Sequence, residues 1–183
     1  MVGSNIVNVD SVNALQSMSL VPRLNYSNDL LSRIIQTLKK KKTLTKRSTQ
    51  MILQDYDSTE KACQEAIDTE KILSFSIEIL TQIQKRSHMV SNVASIPKIM
   101  PSAIPMIRTI SANLHQISPK SSLMLSELSV HLGSIIVDAA AICKAKFDFN
   151  ELNSKSAILV DEVKLIVDSK IDKQYSNVEI SKA

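Results

Sequence analysis

Residues 30–53 read LLSRIIQTLKKKKTLTKRSTQMIL, and this stretch decides the fold because it contains neither Gly nor Pro. Apolar residues recur at helical spacing on both sides of its basic centre. These residues are Leu30, Leu31, Ile34, Ile35 and Leu38 before the centre and Met51, Ile52 and Leu53 after it. Since nothing interrupts the backbone, we predict one amphipathic helix that starts at a cap on Ser27 or Asn28 and runs to Gln54.

The basic centre of this helix is Lys39–Arg47, KKKKTLTKR, which holds six cations and one apolar residue. Residues 1–50 carry eight Lys or Arg against two Asp or Glu, whereas residues 51–90 carry four against seven. A Lys-rich helix face is often only a solvated face, but a run of this density predicts contact with an anionic surface. The residues predicted to make this contact are Lys39, Lys40, Lys41, Lys42, Lys46 and Arg47.

A second helix is predicted from about Thr59 to Ala94, after a turn at Asp55–Ser58 in which Ser58 is the N-cap. So short a connection makes the two helices an antiparallel hairpin over residues 28–95. The apolar stripe of the second helix is wider than a two-helix seam requires, so we expect further helices to pack on it.

The turn also sets a register for the hairpin. Pairing counted outward from between Tyr56 and Asp57 places Leu80 opposite about Arg33. Residues 1–24, which precede the hairpin, are predicted to be a flexible N-terminal segment or a short amphipathic helix, and residues 25–145 are predicted to form the helical core.

Three prolines mark the end of the hairpin. Pro97, Pro101 and Pro105 lie about one helical turn apart, and each removes a backbone donor, so residues 97–105 are predicted to be a connector and hinge. Two shorter helices should follow over residues 105–118 and 119–145. The second of these has a clean apolar stripe that includes Leu125, Leu128, Leu132 and Ile135.

The predicted fold class is all-α, a long antiparallel two-helix hairpin with additional shorter helices. Residues 150–183 should form a last, weaker helix whose end frays from Lys173 onward. No Asn-Gly, Asp-Gly or Gly-Gly pair is present to close a hairpin of strands, so we expect no sheet.

The chemistry of an enzyme is missing from the pattern. With Gly3 and Gly133 as the only glycines there is no phosphate-binding loop, and three histidines on three different elements predict no metal site. We therefore expect a non-enzymatic protein without metal or cofactor. Cys63 and Cys143 are interpreted as buried thiols of a reducing compartment, and no apolar run is long enough to predict a membrane span.

Several segments resemble the core of the ESCRT-III family, and most closely its archaeal cell-division branch. LLSRI at residues 30–34 resembles the start of that family's first helix, and DSTEKA at residues 57–62 resembles the entry to its second. The strongest similarity lies at residues 100–139, MPSAIPMIRTISANLHQISPKSSLMLSELSVHLGSIIVDA. In this region Lys120 follows Pro119, at a position where the family often has Glu.

The resemblance implies a protein that switches from a closed monomer to filaments and remodels anionic membranes, in archaeal cell division or vesicle formation. It implies self-assembly, paralogous ESCRT-III subunits as partners, and a cytoplasmic location on the inner face of the cell membrane. It also implies an AAA ATPase as a partner, but the Leu-Pro docking motif of many members is missing, so direct binding stays open.

Self-assembly and autoinhibition are expected to share one apolar face. The stripe that begins at Leu125 would lie on the hairpin in the closed form, against the surplus face of the second helix around Leu73, Ile77 and Leu80. The alternative is a soluble helical adaptor that uses the hairpin as a coiled-coil arm. Specific nucleic-acid binding is disfavoured because aromatic residues and arginines are scarce.

Overall fold

The computed structural model describes the backbone of residues 2–143 and 149–182, and the side chains of residues 19–143 and 160–176. Every regular element in the described part is a helix, so the all-α prediction is confirmed. The α-helices are α1 (Val2–Gln54), α2 (Glu60–His88), α3 (Ile96–Ile99), α4 (Ala103–Leu114), α5 (Pro119–Cys143) and α6 (Phe149–Lys182), with a 3₁₀ turn at Val93–Ser95 before α3.

Helix α1 begins far earlier than the sequence pattern predicted. It runs unbroken from Val2 through Pro22, so the start at residue 28 is wrong. Ser27, the predicted cap, lies inside the helix and donates a hydrogen bond from Oγ to the carbonyl oxygen of Arg23 at 3.2 Å. Leu20 and Leu24 are buried, and this packing accounts for the helical conformation of a segment that lacks strong local signals.

The α1–α2 hairpin closes through residues 55–59. Thr59, not Ser58, is the N-cap of α2, because its hydroxyl oxygen accepts a hydrogen bond from the amide of Ala62 at 3.1 Å. At the other side of the turn, Asp55 accepts from the amide of Asp57 at 3.0 Å. The second helix therefore starts one residue later than predicted.

This later start shifts the register of the hairpin. Gln84 Nε2 donates to Ser32 Oγ at 2.7 Å, and Thr49 Oγ1 donates to the carbonyl oxygen of Ala66 at 3.3 Å. The first pair is centred on Ser58 and the second between Asp57 and Ser58, whereas the prediction was centred between Tyr56 and Asp57. Each residue of α1 therefore lies opposite a residue of α2 that is two to three positions later than the predicted register gives.

The segment after α2 is more structured than a flexible connector. Helix α2 ends at His88, not near Ala94, because Asn92 and Ser95 form a capping box that starts the 3₁₀ turn. Pro97 lies in the first turn of α3, and Pro101 separates α3 from α4. Pro105 is the third residue of α4, not its first, and is tolerated there because the first turn of a helix has no amide partners to lose.

The shorter helices cover the two sides of the hairpin. Helix α5 packs on α1 and α4, while α4 and α6 pack on α2. The expectation that the stripe of α5 lies against the second helix is therefore wrong in its main contact. The physical reason is the length of α1, whose early residues extend its own apolar face and bury it against α5.

Helix α6 also departs from the prediction, since its backbone is helical to Lys182 and does not fray from Lys173. Val167, Ile171 and Tyr175, each four residues apart, are buried in the common core. On the same helix Asp172 pairs with Lys71 of α2 at 3.3 Å. Packing on α2 thus accounts for order at the end of the chain.

The hairpin seam generates a stability prediction. Leu80 has no exposed surface, whereas Glu78 is exposed on the same helix. Leu80→Ala should therefore lower the free energy of unfolding by about 2–5 kcal/mol, since it removes buried methyl groups and leaves a cavity. Glu78→Ala, the control, should cost under about 0.5 kcal/mol in the same urea titration. Equal losses from the two changes would contradict this packing.

Candidate membrane-facing surface

The basic run of α1 is divided between two faces of the helix. Lys39, Lys40 and Arg47 are exposed, whereas Lys41, Lys42 and Lys46 are half-buried. The six predicted contact residues therefore do not form one surface. The division follows from the 3.6-residue helical turn, which directs part of any consecutive run toward the partner helices.

The half-buried lysines have partners within the protein. Lys41 Nζ donates a hydrogen bond to the carbonyl oxygen of Ile117, just beyond the end of α4. A cation that contacts carbonyl groups at the end of a helix is favourably placed, because those oxygens carry partial negative charge. Lys42 and Lys46 lie near the carboxylate of Glu70 on α2 and interact with it electrostatically.

Glu70 is the most unusual charged residue of the described part. Its relative exposure is 0%, and neither carboxylate oxygen has a hydrogen-bond partner among the described residues. Burial raises the pKa of this carboxyl above its ordinary value of 4.5, while Lys46 and Lys42 pull the pKa down. Ser74 Oγ and the Tyr175 hydroxyl are also buried without a partner in the described part.

The exposed face of α1 combines cations with large apolar side chains. Lys40, Leu44, Arg47 and Met51 recur at intervals of four, three and four residues, so they follow one line along the helix. Leu44 is 63% exposed and Met51 is 71% exposed. Lys39, which is also exposed, lies about 100° around the helix from Lys40, beside this line, and we call the line together with Lys39 the outer stripe.

Sequence reasoning missed the apolar half of the outer stripe. Met51 was grouped with Ile52 and Leu53 in the apolar pattern, although it is 71% exposed and only Leu53 of these three is buried. The helical spacing of Leu44 and Met51 from Lys40 and Arg47 puts the four residues on one line, and the structure shows that this line is exposed. No Asp or Glu occurs between residues 30 and 54, so this stretch of α1 supplies no acid to offset the cations.

The residues predicted for self-assembly all lie in the hydrophobic core of this conformation. Those on α2 are Leu73, Ile77 and Leu80, and those on α5 are Leu125, Leu128, Leu132 and Ile135. The predicted hinge residues Pro97 and Pro101 are buried as well, while Pro105 is half-buried. Neither group joins the outer stripe.

Among the described residues, no three His, Cys, Asp or Glu side chains come together as a set that could hold a metal ion. Neither Cys63 nor Cys143 is in a disulfide, and both are half-buried rather than buried. His131 is tied to α1, with Nε2 3.2 Å from the carbonyl oxygen of Arg23 and its ring edge-on to Tyr26 at 5.3 Å.

Helix α5 is the one helix in the described part that is long and apolar enough to cross a membrane. We expected no membrane-spanning segment because no uninterrupted apolar run is long enough, and that criterion does not detect α5. The apolar composition of α5 is equally typical of a core helix, since many of its apolar residues are buried against α1 and α4.

Comparisons with models of protein families, with curated proteins and with solved structures give no match. The resemblance to ESCRT-III therefore stands on the three segments quoted from the sequence. The physical argument for function stands on the surface just described.

Glu70 generates a prediction on pH dependence. Because its pKa is higher in the folded protein than in the unfolded chain, its contribution to stability is full below about pH 4.5 and is lost as the pH rises through the folded pKa. Glu70→Gln removes the charge, so it should stabilise the protein at neutral pH and have little effect near pH 4.5. Urea unfolding at several pH values measures both effects.

The matched control is Glu65→Gln, on the exposed side of the same helix. It should change the unfolding free energy by less than about 0.5 kcal/mol in the same titrations, because the side chain is exposed. A Glu70→Gln variant that is less stable than the unmodified protein at neutral pH would show that Lys42 and Lys46 more than compensate the burial.

Proposed function

We propose that this chain is a non-enzymatic membrane-remodelling protein of the ESCRT-III type. It binds anionic membranes through the outer stripe of α1 and polymerises there into filaments, with copies of itself and with related subunits. The proposed site of action is the inner face of the cell membrane, in archaeal cell division or vesicle formation.

The observation that carries the proposal is the make-up of the outer stripe. A merely solvated Lys-rich face needs no exposed Leu or Met, yet Leu44 and Met51 interleave with Lys40 and Arg47. An interfacial helix combines these two properties, because its cations attract lipid headgroups while its apolar side chains enter the acyl boundary. The surface thus suits a bilayer better than a purely polar polyanion.

The free energy with which a single copy binds a membrane is small. Each cation near an anionic bilayer contributes roughly 1 kcal/mol, so Lys39, Lys40 and Arg47 together give weak and reversible attachment. Linking many copies in a filament raises the effective concentration of every remaining stripe at the surface, and this multiplies the attachment without any new contact. Weak binding by the monomer is therefore compatible with firm binding by the polymer.

We place the closed-to-open switch at α6 rather than at α5. Helix α6 covers α2 with a few buried side chains and one ion pair that is largely exposed on the Asp172 side. Its removal would expose apolar surface of α2 to a neighbouring copy, which is how a surplus helix face drives assembly. Helix α5, by contrast, is built into the core with α1 and α4.

The membrane prediction uses the exposed cations only. Changing Lys39, Lys40 and Arg47 together to Gln should abolish co-sedimentation with anionic vesicles at low salt, because the electrostatic attraction is lost. The control changes three other exposed lysines to Gln, namely Lys61, Lys85 and Lys98, with the same loss of net charge. The control should sediment like the unmodified protein, and both variants should keep their helical circular dichroism.

The double variant Leu44→Gln and Met51→Gln tests whether the apolar side chains of the outer stripe contribute to binding beyond the charge. This pair should reduce the binding that persists at high salt and leave the salt-sensitive part in place. Unchanged sedimentation of the triple cation variant would remove the site assignment. Absence of both vesicle binding and filaments for the unmodified protein would favour the adaptor alternative.

The switch prediction uses two positions on one helix. Ile171→Asp introduces a charge into the buried face of α6 and should release it, so filaments should form at lower protein concentration. Leu165→Asp is the control, because Leu165 is 71% exposed on the same helix and the charge stays in water. Sedimentation velocity and electron microscopy measure assembly. If Ile171→Asp stays monomeric where the unmodified protein polymerises, α6 is not the switch.

A further inference from the structure

A groove between α1 and α5 gathers three cations from two separate elements. Its volume is about 550 Å³. Arg33 and Lys40 line it from α1, and Lys120 lines it from α5. The other lining residues are Ser32, Gln36, Thr37 and Met124.

The described part of the chain does not neutralise the positive charge in this groove. No carboxylate is among the lining residues, and no ion pair of Arg33, Lys40 or Lys120 occurs within the described part of the chain. The described ion pairs join Arg23 to Asp138 and Lys71 to Asp172, outside the groove lining. Three unpaired cations that converge on one concave surface produce a local positive potential that attracts an anion.

Lys120 makes this potential stronger, because it is the second residue of α5. The first turn of a helix carries partial positive charge from its unpaired amides, so a lysine there has the unfavourable sign. No acidic residue lies in that first turn to compensate. An anion in the groove would reduce the repulsion between Lys120 and the helix terminus, because it would pair with the positive charge of the lysine.

The remaining lining groups supply hydrogen-bond donors. Ser32 Oγ accepts from Gln84 at 2.7 Å, which leaves its own hydroxyl hydrogen available, and Gln36 presents an exposed amide. The Arg33 guanidinium has the planar donor geometry that suits the oxygens of a phosphate group. Arg33 and Lys40 are seven residues apart on α1, or about 10 Å along the helix axis, so the two cations leave room for two phosphate groups side by side.

We propose that this groove binds a compact anion that carries at least two phosphate groups. Arg33 and Lys40 hold phosphates on the α1 side, and Lys120 closes the site from α5. The inference goes beyond the proposed membrane binding, because the ligand is recognised by chemistry that a free polyphosphate and a phosphorylated lipid headgroup share.

Binding at this place has a consequence for the conformation. The ligand contacts α1 and α5 together, so it binds only while α5 is packed on the hairpin, and linkage then stabilises that packing. A ligand present at one hundred times its dissociation constant should raise the melting temperature by about 5–10 °C in a chain of this size.

The test uses inositol hexakisphosphate as the soluble probe, with calorimetric titration and thermal melts of the full chain. Lys120→Gln and Arg33→Gln should each weaken binding by about tenfold or more, and Lys120→Arg, which keeps the charge, should retain it. Lys98→Gln is the matched control, since Lys98 is an exposed lysine that does not line the groove. It should bind like the unmodified protein.

A second arm distinguishes the free anion from the lipid headgroup. Phosphatidylcholine vesicles that contain a phosphatidylinositol bisphosphate are compared with phosphatidylserine vesicles of equal surface charge. A preference for the first that Lys120→Gln abolishes assigns the groove to a lipid headgroup, and binding of the soluble probe without such a preference assigns it to a free anion.

Two outcomes overturn the inference. One is no binding of inositol hexakisphosphate by the unmodified protein, and the other is an equal loss of binding in Lys98→Gln and Lys120→Gln. The result is separable from the membrane proposal, because a Lys39→Gln and Arg47→Gln variant leaves the groove residues intact. That variant should bind the soluble probe normally even where it no longer binds phosphatidylserine vesicles.

Discussion

The seam between α1 and α2 is the contact on which the rest of the structure depends. A short turn at residues 55–59 forces the two helices to run antiparallel. Hydrogen bonds between Thr49 and Ala66 near the turn and between Ser32 and Gln84 far from it hold the register along the hairpin. Two helices in contact bury only one side of each apolar stripe. Every other element is therefore placed by the need to cover what the seam leaves exposed.

That need also sorts the charges of α1. The side turned toward α2 half-buries Lys42 and Lys46 and sets them near Glu70, whereas the opposite side leaves Lys40 and Arg47 exposed. One continuous basic run thus becomes a structural half and a surface half. The surface half keeps its apolar residues Leu44 and Met51 exposed.

Features that depend on local periodicity could be predicted from the sequence, whereas features that depend on which helices pack together could not. Apolar spacing predicts the helices of the hairpin, and Pro119 is the first residue of α5 in the structure. Residues 1–24 were predicted to be either a flexible segment or a short amphipathic helix, and the structure has a helix there that continues into α1, with Leu20 and Leu24 buried in the core. The exposure of Met51 depends on which side of α1 faces α2, and helical spacing alone leaves that open.

The two covers of the hairpin differ in how firmly they are held, and this difference bears on function. Helix α5 brings Leu125, Leu128 and Ile135 into a core shared with α1 and α4, so its removal would expose a large apolar area. Helix α6 buries Val167, Ile171 and Tyr175, but the Tyr175 hydroxyl loses water without gaining a partner in the described part, and so does Ser74 Oγ on α2, the helix that α6 covers. Such unpaired groups subtract from the energy of apolar burial. The cover over α2 is therefore the weaker one, and it is the layer that a competing helix from another copy would displace first.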